Sequence, residues 1–517
     1  MSSIMTKFVI RQQNSIPNGF IYIIMRKDRV ILGLTLATAI ILMASCGTAK
    51  NNISNKKNNK HATALSQDST SKPPRFVMPG KEARAVWVAT IGGIDWPRRR
   101  FTEASQKAWY TQMLDTLQRL NVNTVFFQVR PKADAFYDSP YEPWSQYVTG
   151  YRGKAPDYDV LRWVIDETHR RGMSFHAWIN PYRVDQKQRR GDKFGKLDAR
   201  IPRHLVKDYR MVRVYNPAMP ETRQRVSSIV ADLLRRYDVD GIHLDDYFYP
   251  ALQKGEKMRD EAEYKRYGKG FASIADFRRA MVDSLIVATH DTIKAIRPSA
   301  VFSISPQGNY ENNYNTMYAD IALWSARGWC DVIIPQLYWS TERWFLPRLK
   351  WFSENATSKT KLLIGYALYR FGEKAKSNVY RTADDLARQI DAARADGKVS
   401  GAALYSAYWL MNNPVNINGV IASRFPRLTL APYLGQGDEI KPEAPGRLTA
   451  SGRELSWGAV DGCYYAVYRA DGEKAELEAV VYDTHATAKS VATYFVTAVR
   501  KGCNAESLPS RLVTTAR

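Results

Sequence analysis

The stretch Asp240-Gly241-Ile242-His243-Leu244-Asp245-Asp246-Tyr247-Phe248-Tyr249-Pro250 decides the fold of this chain. It begins as a short apolar strand and ends in two adjacent carboxylates, an aromatic cluster and a proline. Because successive side chains of a strand point to opposite faces, Ile242 and Leu244 share one face, and His243 and Asp245 share the other. A strand whose inner face turns polar near its carboxyl end is typical of an active-site strand of a (β/α)8 barrel. The alternative is an ordinary strand that runs into an acidic turn.

Seven other short apolar segments alternate with helical patterns on both sides of this strand. The other predicted strands cover residues 83–90, 124–131, 174–181, 301–307, 331–339, 362–369 and 401–409. Helices are predicted over residues 107–120, 159–171, 220–237, 276–296 and 382–395. Eight strand–helix units favour an α/β fold of the (β/α)8 TIM barrel type over residues 79–435. A doubly wound open sheet is the competing fold, but it would usually have fewer strands, and no Gly-x-Gly-x-x-Gly follows the first one.

The last part of the chain has a different pattern. After a predicted linker over residues 436–446, short alternating segments predict an all-β sandwich over residues 447–517. Trp457 and the run Tyr494-Phe495-Val496-Thr497-Ala498 resemble a fibronectin type III module. Cys463 and Cys503 would lie in loops at the same end of this sandwich, so a disulfide between them is a hypothesis for an exported protein.

The N-terminal segment predicts export and a membrane anchor. Basic residues after Met25 precede an apolar run, 30–43, which is followed by Ala44-Ser45-Cys46, the pattern of a secretory signal. Cys46 in this position resembles the lipidated cysteine of bacterial lipoproteins, which implies a leader over residues 1–46 with a true start at Met25. Residues 47–78 are rich in Asn, Lys, Ser and Thr and predict a flexible linker. A membrane-spanning anchor is the alternative, but the apolar run is short for a span.

The formal charge of the 517 residues is +24. Residues 1–60 hold nine Lys and Arg against one Asp, and the remainder is still basic. Nucleic acid is one possible reason for such a charge, but no RNP, zinc-finger or helix-turn-helix signature is present. An anionic polymer of the cell envelope or wall explains the charge as well, and the lipidation expected at Cys46 implies a lipid-anchored location at the periplasmic or outer-membrane face.

Alternation along the strands predicts a polar pocket at the carboxyl-terminal mouth of the barrel. The inward polar residues are Gln128, Arg130, His176, Asn180, His243, Asp245, Ser305, Gln307, Gln336 and Tyr338. No Cys or His spacing resembles a zinc site, and no metal or cofactor is expected.

Hydrolysis of a glycosidic bond requires two carboxyl groups that flank the bond. Asp245 is the best single candidate, because it points into the mouth. Asp246 follows it directly, so the two side chains diverge. Asp95 in Ile94-Asp95-Trp96-Pro97, Asp134, Glu311 and Glu342 are other candidates near strand ends. Sequence spacing does not choose between these partners.

Several motifs together resemble one known family. They are Glu82-Ala83-Arg84-Ala85-Val86-Trp87-Val88-Ala89-Thr90, Ile94-Asp95-Trp96-Pro97, Asn123-Thr124-Val125-Phe126-Phe127-Gln128-Val129-Arg130-Pro131, His176-Ala177-Trp178-Ile179-Asn180-Pro181-Tyr182-Arg183, the opening stretch and Pro335-Gln336-Leu337-Tyr338-Trp339. The combination is similar to the glycosyl hydrolase-like family 10 across roughly residues 80–430. The resemblance implies a barrel glycosidase of the bacterial envelope, whose enterobacterial relatives act on peptidoglycan glycan strands stripped of stem peptides. It implies site roles for Asp95, His176, Asn180, Asp245, Asp246, Gln336 and Tyr338.

The resulting hypothesis assigns Asp245 as nucleophile or charge stabiliser, and Asp246 first or Asp95 next as a general acid with a raised pKa. The predicted substrate-binding residues are Trp96, Gln128, Arg130, His176, Trp178, Asn180, Tyr182, His243, Tyr247, Gln307, Gln336, Tyr338 and Trp339. Two other classes stay open. One is a non-catalytic glycan-binding lipoprotein on a barrel of the same fold. The other is a metal-dependent hydrolase with His243 and Asp245 as ligands.

Overall fold

The computed structural model describes residues 76–517, and these contain a closed barrel of eight parallel strands. The barrel strands are β1 Ala83–Val88, β2 Thr124–Arg130, β3 Ser174–Ile179, β4 Gly241–Leu244, β5 Val301–Ile304, β6 Val332–Ile333, β7 Lys361–Ala367 and β8 Val399–Tyr405. Each strand pairs with its neighbours in chain order, and β8 returns to β1 with Ala83 opposite Gly401. The predicted (β/α)8 barrel is therefore confirmed, with the opening stretch as its fourth strand.

Helices between the strands form the outer layer. They include α1 Glu103–Arg119, α2 Val160–His169, α3 Pro220–Arg236, α4 Ile274–Ile296, α5 Ile321–Arg327, α6 Leu346–Asn355, α7 Asp384–Ala395 and α8 Ile417–Arg424. Other helices cover Gln146–Thr149, Glu261–Tyr267, Tyr310–Asn315 and Ala407–Asn412. Local sequence sets several ends: the Asp159 carboxylate accepts a hydrogen bond from the Arg162 backbone N–H and caps α2. The chain then leaves α2 through Gly172, whose φ of +71° favours glycine.

The strands are buried on both faces, because the barrel has an inner and an outer core. Ala85, Trp87 and Phe126 point into the barrel, whereas Val86 and Phe127, one residue away, pack against the helices. This double burial explains why the barrel strands appear in the sequence as nearly continuous apolar runs.

The segment between β3 and α3 carries a small antiparallel sheet of its own. Its three strands are Arg183–Gln186, Val206–Asp208 and Val212–Tyr215, with the last one in the middle. We call residues 183–215 the insertion lobe. It follows the carboxyl end of β3 and therefore lies at the face of the barrel where active sites are found.

The C-terminal region consists of two antiparallel sheets. One contains Thr449–Ser451, Glu454–Ser456 and His485–Thr487, and the other contains Cys463–Asp471, Lys474–Val481, Thr493–Arg500 and Val513–Thr514. Leu455 and Trp457 from the first side pack with Tyr465 and Val496 from the second in one hydrophobic core. The region is thus all-β, as predicted, while its assignment as a fibronectin type III module stays a prediction.

The predicted disulfide between Cys463 and Cys503 is absent, since both thiols are free in the structure. Cys463 begins a strand and belongs to the core between the two sheets. Cys503 lies in the turn after the strand Thr493–Arg500, where its carbonyl accepts a hydrogen bond from the Leu434 N–H. Burial raises the pKa of both thiols, so neither favours the reactive thiolate form.

The C-terminal region packs on the amino-terminal end of the barrel, opposite the predicted mouth. The Tyr482 ring stacks on His169 of α2 at 4.1 Å between centroids. His169 Nε2 in turn bonds the Asp240 carboxylate, just before β4, at 2.8 Å. Gly502, at a φ of +84°, approaches so closely that a Cβ would lie 2.3 Å from the Ser299 carbonyl oxygen. The C-terminal region and the barrel are therefore closely packed against each other at this interface.

No helix within residues 76–517 is long and apolar enough to cross a membrane. The predicted leader, with Cys46, and most of the predicted linker lie outside the described residues.

Candidate active site

A pocket of about 330 Å³ opens at the carboxyl-terminal ends of the barrel strands. Its lining residues are Trp87, Trp178, Asp245, Asp246, Tyr247, Ser305, Gln336, Tyr338, Tyr369 and Tyr405. Six of these were predicted from the sequence: Trp178, Asp245, Asp246, Tyr247, Gln336 and Tyr338. The pocket combines two carboxyl groups with a wall of aromatic rings, an arrangement suited to a ligand with polar groups and flat apolar faces.

The strand ends hold Asp245 in one position. Asn180, directly after β3, donates a hydrogen bond from Nδ2 to one carboxylate oxygen of Asp245. The backbone N–H of Tyr247 donates to the other oxygen at 3.4 Å. The Asn180 Oδ1 atom accepts from Gln128 Nε2 of β2 at 2.7 Å. Asn180 and Gln128 do not line the pocket, so they are positioning residues rather than the predicted sugar-binding groups.

The Gln128 side chain extends this chain of hydrogen bonds to the first strand. Its Oε1 atom accepts from the backbone N–H groups of Thr90 and Ile91, each at 2.9 Å. The four loops after β1 to β4 are thereby linked in one buried network, and Asp245 lies at its end. A buried network with every member bonded fixes one orientation of the carboxylate.

The two adjacent carboxyl groups differ in protonation. The pKa of Asp246 is raised to about 7. Burial is the larger cause, and the neighbouring negative charge of Asp245 is the second. Burial also raises the pKa of Asp245, whereas Arg183 and the hydrogen bonds from Tyr247 and Asn180 oppose the rise. Because two buried carboxyl groups this close do not ionise together easily, the pair favours a state that holds one proton, and the neighbouring negative charge that raises the pKa acts on Asp246.

Arg183 is a cation whose charge acts on both carboxyl groups of this pair. It was not predicted as a site residue, although it ends the motif His176–Arg183. Its guanidinium lies 4.1 Å from the centre of the Tyr247 ring and donates to the Pro131 carbonyl at 3.2 Å. It forms no ion pair with a described residue, yet its charge lowers the pKa of both Asp245 and Asp246. Arg183 therefore favours the ionised state of the pair.

His243 lies beneath the pocket and supports one of its walls. The Trp87 indole N–H donates to His243 Nε2 at 3.0 Å, and Nδ1 lies 2.8 Å from the Ser303 hydroxyl. Since Nε2 accepts, the proton is on Nδ1 and the ring is neutral, in line with a pKa lowered far below its usual value by burial. Both ring nitrogens are thus already used. His243 is neither the predicted sugar-binding residue nor a free metal ligand.

His176 is also a core residue instead of a ligand-binding one. It packs edge-on against Phe126 at 5.2 Å, and burial lowers its pKa to about 4. A Cβ at position 241 would lie 2.5 Å from its Nδ1 atom, so only Gly241 leaves room for the ring. The alternation rule assigned His176 to the correct face of the strand. In the structure, however, His176 lies one layer below the pocket.

Asp95, the second predicted candidate for general acid, lies outside the pocket and is fully buried. Its carboxylate accepts hydrogen bonds from the Ala89 N–H at 2.6 Å, the Ser406 hydroxyl at 2.7 Å and the Tyr408 N–H at 2.9 Å. Burial raises its pKa to about 6. The structure therefore places Asp95 outside the pocket, and its oxygens join the ends of β1 and β8.

Three further predicted ligand-binding residues are structural. Trp96 is fully buried with its ring 5.6 Å from Phe127, and Tyr182 is fully buried in the outer core. Arg130 forms a bidentate ion pair with Glu142, with both N–O distances at 2.7 Å. A buried pair of this kind has no free donor directed at a ligand.

Gln307 and Trp339 border the site without lining the pocket. The Gln307 side-chain Oε1 atom accepts a hydrogen bond from Asn312 Nδ2, and the hydrogen bond from the Gln307 side chain to Asp246 lowers the pKa of Asp246. The Trp339 ring packs close to Gly308, where a Cβ would lie 2.6 Å from the ring. Both residues therefore shape the loops around the carboxylates.

Sequence reasoning missed four residues that line the pocket: Trp87, Ser305, Tyr369 and Tyr405. Ser305 belonged to the predicted inward set but was not retained as a site residue. Its hydroxyl is buried without a hydrogen-bond partner among residues 76–517, so it is free to bond a ligand. Applying the alternation rule to β1, and examining the ends of β7 and β8, would have found the other three.

Among the described residues, no group of three or more His, Cys, Asp or Glu side chains is arranged to hold a metal ion. The side chains that line the pocket offer a carboxyl group whose pKa is raised to about 7, a second carboxyl group bonded by Asn180, the neutral amide of Gln336 and aromatic hydroxyls.

A (β/α)8 barrel with a paired carboxyl site and aromatic walls at its mouth has the architecture of a carbohydrate-active barrel enzyme. Residues 82–381 match the family model described as glycosyl hydrolase-like 10. The chain belongs to this family, as the resemblance of its motifs indicated.

Two curated relatives agree with this assignment. Glycosyl hydrolase YngK of Bacillus subtilis is 34% identical over 429 residues, which are 76% of this chain and 84% of the relative. Glycosyl hydrolase DigH of Escherichia coli K12 is 34% identical over 385 residues, which are 66% of this chain and 87% of the relative. A solved structure, the PgaB (BpsB) glycoside hydrolase domain of Bordetella bronchiseptica, aligns with a TM-score of 0.45 at 12% identity, over 66% of this chain and 98% of that one.

Proposed function

We propose that the protein is a glycoside hydrolase that cleaves an envelope polysaccharide, and that its substrate is the glycan strand of peptidoglycan. The observation that carries the proposal is the Asp245–Asp246 pair, buried at the mouth of the barrel with a pKa of about 7 for Asp246. Glycosidic bond cleavage needs one carboxyl group that is protonated near neutral pH and one that is ionised, and this pair supplies both states.

In the proposed mechanism, Asp246 is the general acid and transfers its proton to the oxygen of the leaving sugar as the glycosidic C–O bond breaks. Asp245 is the ionised group that stabilises the positive charge that develops at the anomeric carbon, or attacks that carbon and forms a glycosyl ester. Water then attacks the anomeric carbon, displaces Asp245 where the ester has formed, and returns a proton to Asp246. Asn180 keeps Asp245 oriented through its hydrogen bond, and Arg183 favours the ionised form of Asp245. The rings of Trp178, Tyr247 and Tyr338 provide flat surfaces for the sugar.

The choice of peptidoglycan rests on the family resemblance and on the charge of the chain. A formal charge of +24 suits an anionic wall polymer, and a leader with Cys46 would place the barrel in the envelope beside that polymer. The relatives' names specify glycosyl hydrolysis and no particular glycan.

Incubation of the detergent-solubilised full chain with purified glycan strands, with and without stem peptides, tests the proposal. We expect release of new reducing ends, lost in Asp246→Asn and Asp245→Asn. The matched control is Asp471→Asn, the same change at an exposed position of the C-terminal region, which should cleave like the wild type. If the wild type binds strands but releases no ends from any glycan, the protein is a non-catalytic binder and the proposal fails.

A further inference from the structure

A second and larger cavity, of about 720 Å³, lies between the insertion lobe and the loop after β4. Lys187, Phe194, Tyr209 and Arg210 of the lobe form one side of it, and Lys257 and Arg259 of the β4 loop form the other. We call it the lobe groove. Both segments follow the carboxyl ends of neighbouring strands, so the groove is at the same face of the barrel as the active-site pocket.

The insertion lobe is the most basic part of the described chain relative to its length. Residues 183–215 hold eleven Lys and Arg against four Asp. The lobe therefore has a net charge of +7 within 33 residues, from the same count. A concave surface with one dominant sign of charge attracts ligands of the opposite sign.

The cations in the lobe groove are available to a ligand. Lys187, Arg210, Lys257 and Arg259 form no ion pair with any residue of the described part of the chain. Arg210, Lys257 and Arg259 are exposed, and Lys187 is half-buried. Four positive charges that face one cavity without internal partners lower their free energy when an anion binds there.

Three carboxylates line the lobe groove beside its four cations, so the lining has a net charge of +1, and each carboxylate is already stabilised by other groups. Asp208 pairs with Arg213 at 2.7 Å and with Arg203 at 3.3 Å. Glu256 accepts hydrogen bonds from the backbone N–H groups of Arg210 and Gln253, at 2.6 and 3.2 Å. Glu261 lies in the first turn of its helix, where the helix dipole stabilises it. The charge left for a ligand is positive.

The two sides of the lobe groove are joined before any ligand binds. Lys207 of the lobe pairs with Glu263 at 3.0 Å, and the Arg259 N–H donates to the Tyr209 hydroxyl at 3.1 Å. The Phe194 ring lies 4.5 Å from the Lys187 ammonium and 4.7 Å from the Arg213 guanidinium. The groove thus presents an aromatic surface between cations in a prearranged shape, which reduces the ordering cost of binding.

Two chain segments lead from the active-site pocket to the lobe groove. Arg183, which contacts Tyr247 of the pocket, begins the lobe strand that leads to Lys187. Four residues of extended chain place Lys187 roughly 13 Å from Arg183. Tyr247 is likewise the start of the β4 loop that forms the other side. A polymer bound across Asp245 and Asp246 can therefore reach the groove.

We propose that the lobe groove is a distal subsite for a carboxylate-bearing sugar of the same polysaccharide chain. The carboxylate of the sugar would lie among Lys187, Arg210, Lys257 and Arg259, and its ring would contact the part of the Phe194 ring that Lys187 and Arg213 leave open. This assignment rests on the proposed function, since it requires that the pocket hold another sugar of that chain.

The test uses the full chain and two forms of one glycan strand: the strand with free sugar carboxylates, and the same strand after conversion of the carboxylates to neutral amides. The variant is Lys187→Gln/Lys257→Gln, and the charge-matched control is Lys441→Gln/Lys489→Gln, two exposed lysines of the C-terminal segment. We expect the variant to raise KM for the carboxylate strand by about two- to tenfold, the effect of losing two exposed charge pairs. Its kcat, and its KM for the amidated strand, should equal those of the control.

An unchanged KM for the carboxylate strand in the variant would overturn the proposal, and so would an equal rise for both strands, because then no charge is recognised. The hydrolysis of the amidated strand by the wild type reports separately on the proposed function. If the wild type cleaves neither strand, binding is measured instead. Titration calorimetry then gives the dissociation constants of the two strands for the variant and for the control, and the variant should bind only the carboxylate strand more weakly.

Discussion

The Asp95 carboxylate accepts a hydrogen bond from the Ser406 hydroxyl at 2.7 Å and so joins the loop after β1 to the end of β8. These two strands are neighbours only because the barrel closes on itself, with 311 positions of sequence between the bonded residues. The carboxylate in Ile94-Asp95-Trp96-Pro97 therefore holds together the first and last strands of the barrel where the barrel closes, although its motif suggested catalysis.

Asp95→Asn should lower stability and spare turnover. The amide offers one acceptor oxygen where the carboxylate offers two, so a buried donor loses its partner, at a cost of about 1–3 kcal/mol. Thermal unfolding followed by circular dichroism measures the loss. At a temperature at which the variant is folded, kcat should stay close to that of the wild type. A large fall in kcat for a fully folded variant would instead return Asp95 to the catalytic group.

The difference in unfolding temperature between the wild type and Asp95→Asn should depend on pH. The pKa of Asp95 is raised to about 6 in the folded protein, above the ordinary value of about 3.9. A raised carboxyl pKa means that the stability contributed by this group is complete below the unfolded pKa and is lost as pH rises through 6. The advantage of the wild type over Asp95→Asn in unfolding temperature should thus shrink from about pH 4 to pH 7. An advantage that grows over this range would contradict the assignment.

The activity should fall as the pH rises through about 7, the pKa of Asp246. A general acid works only in its protonated form, and Asp246 loses its proton there. In Asp246→Asn, kcat should drop by about 10²- to 10⁴-fold, the usual contribution of a positioned acid. Initial rates over a pH series measure both effects. A wild-type profile that stays level up to pH 9 would show that Asp246 is not the acid.

Asn180→Ala should reduce turnover without affecting substrate affinity. It removes the hydrogen bond to Asp245, so the ionised carboxylate is less stable and its pKa rises. A hydrogen bond to a charged group contributes about 1.5–3 kcal/mol, so kcat should fall by about 10- to 100-fold. The acidic limb of the pH profile should move to higher pH, which a purely structural role would not produce. An unchanged limb would remove Asn180 from the positioning role.

Tyr482→Ala should destabilise the whole described chain, because the ring stacks on His169 of the barrel at 4.1 Å. Loss of a fully buried aromatic ring costs about 3–5 kcal/mol, and the loss at the half-buried Tyr482 should be smaller. The matched control is Tyr482→Phe, which keeps the ring and removes only a buried hydroxyl without a partner among the described residues. Calorimetric melting should show a lower temperature for Tyr482→Ala alone. Equal melting of all three proteins would show that the C-terminal region adds nothing to barrel stability.

Cys46→Ala should abolish membrane attachment. A cysteine after Ala44-Ser45 at the end of the apolar run predicts lipidation, and acyl chains are what would hold the protein at the membrane. Metabolic labelling with a radioactive fatty acid and fractionation of the cell envelope measure the change. Ser45→Ala keeps the small residue before the cysteine and should be labelled like the wild type. Labelling of Cys46→Ala would place the anchor elsewhere.

The sequence by itself determined the barrel and the face on which each strand residue lies. Hydrophobic runs of six to seven residues such as β1 and β2 are buried on both sides, and the period of two along a strand assigned His243 and Asp245 to the interior. The motifs likewise identified the family and the carboxylate pair. These features depend on local geometry, so the order of the residues is enough to derive them.

Only the tertiary structure decided the depth of each inward residue. The strands of the barrel are staggered, so residues of one face form successive layers, and period alone does not distinguish a layer in the core from the layer at the mouth. His176 and His243 therefore lie below the pocket, whereas Asp245, two residues beyond His243, lies in it. Asp246 has the opposite parity, but the strand ends at Leu244, and the turn that follows directs both carboxyl groups into one pocket. The difference in protonation between them arises from burial and from their proximity, which are properties of the folded chain alone.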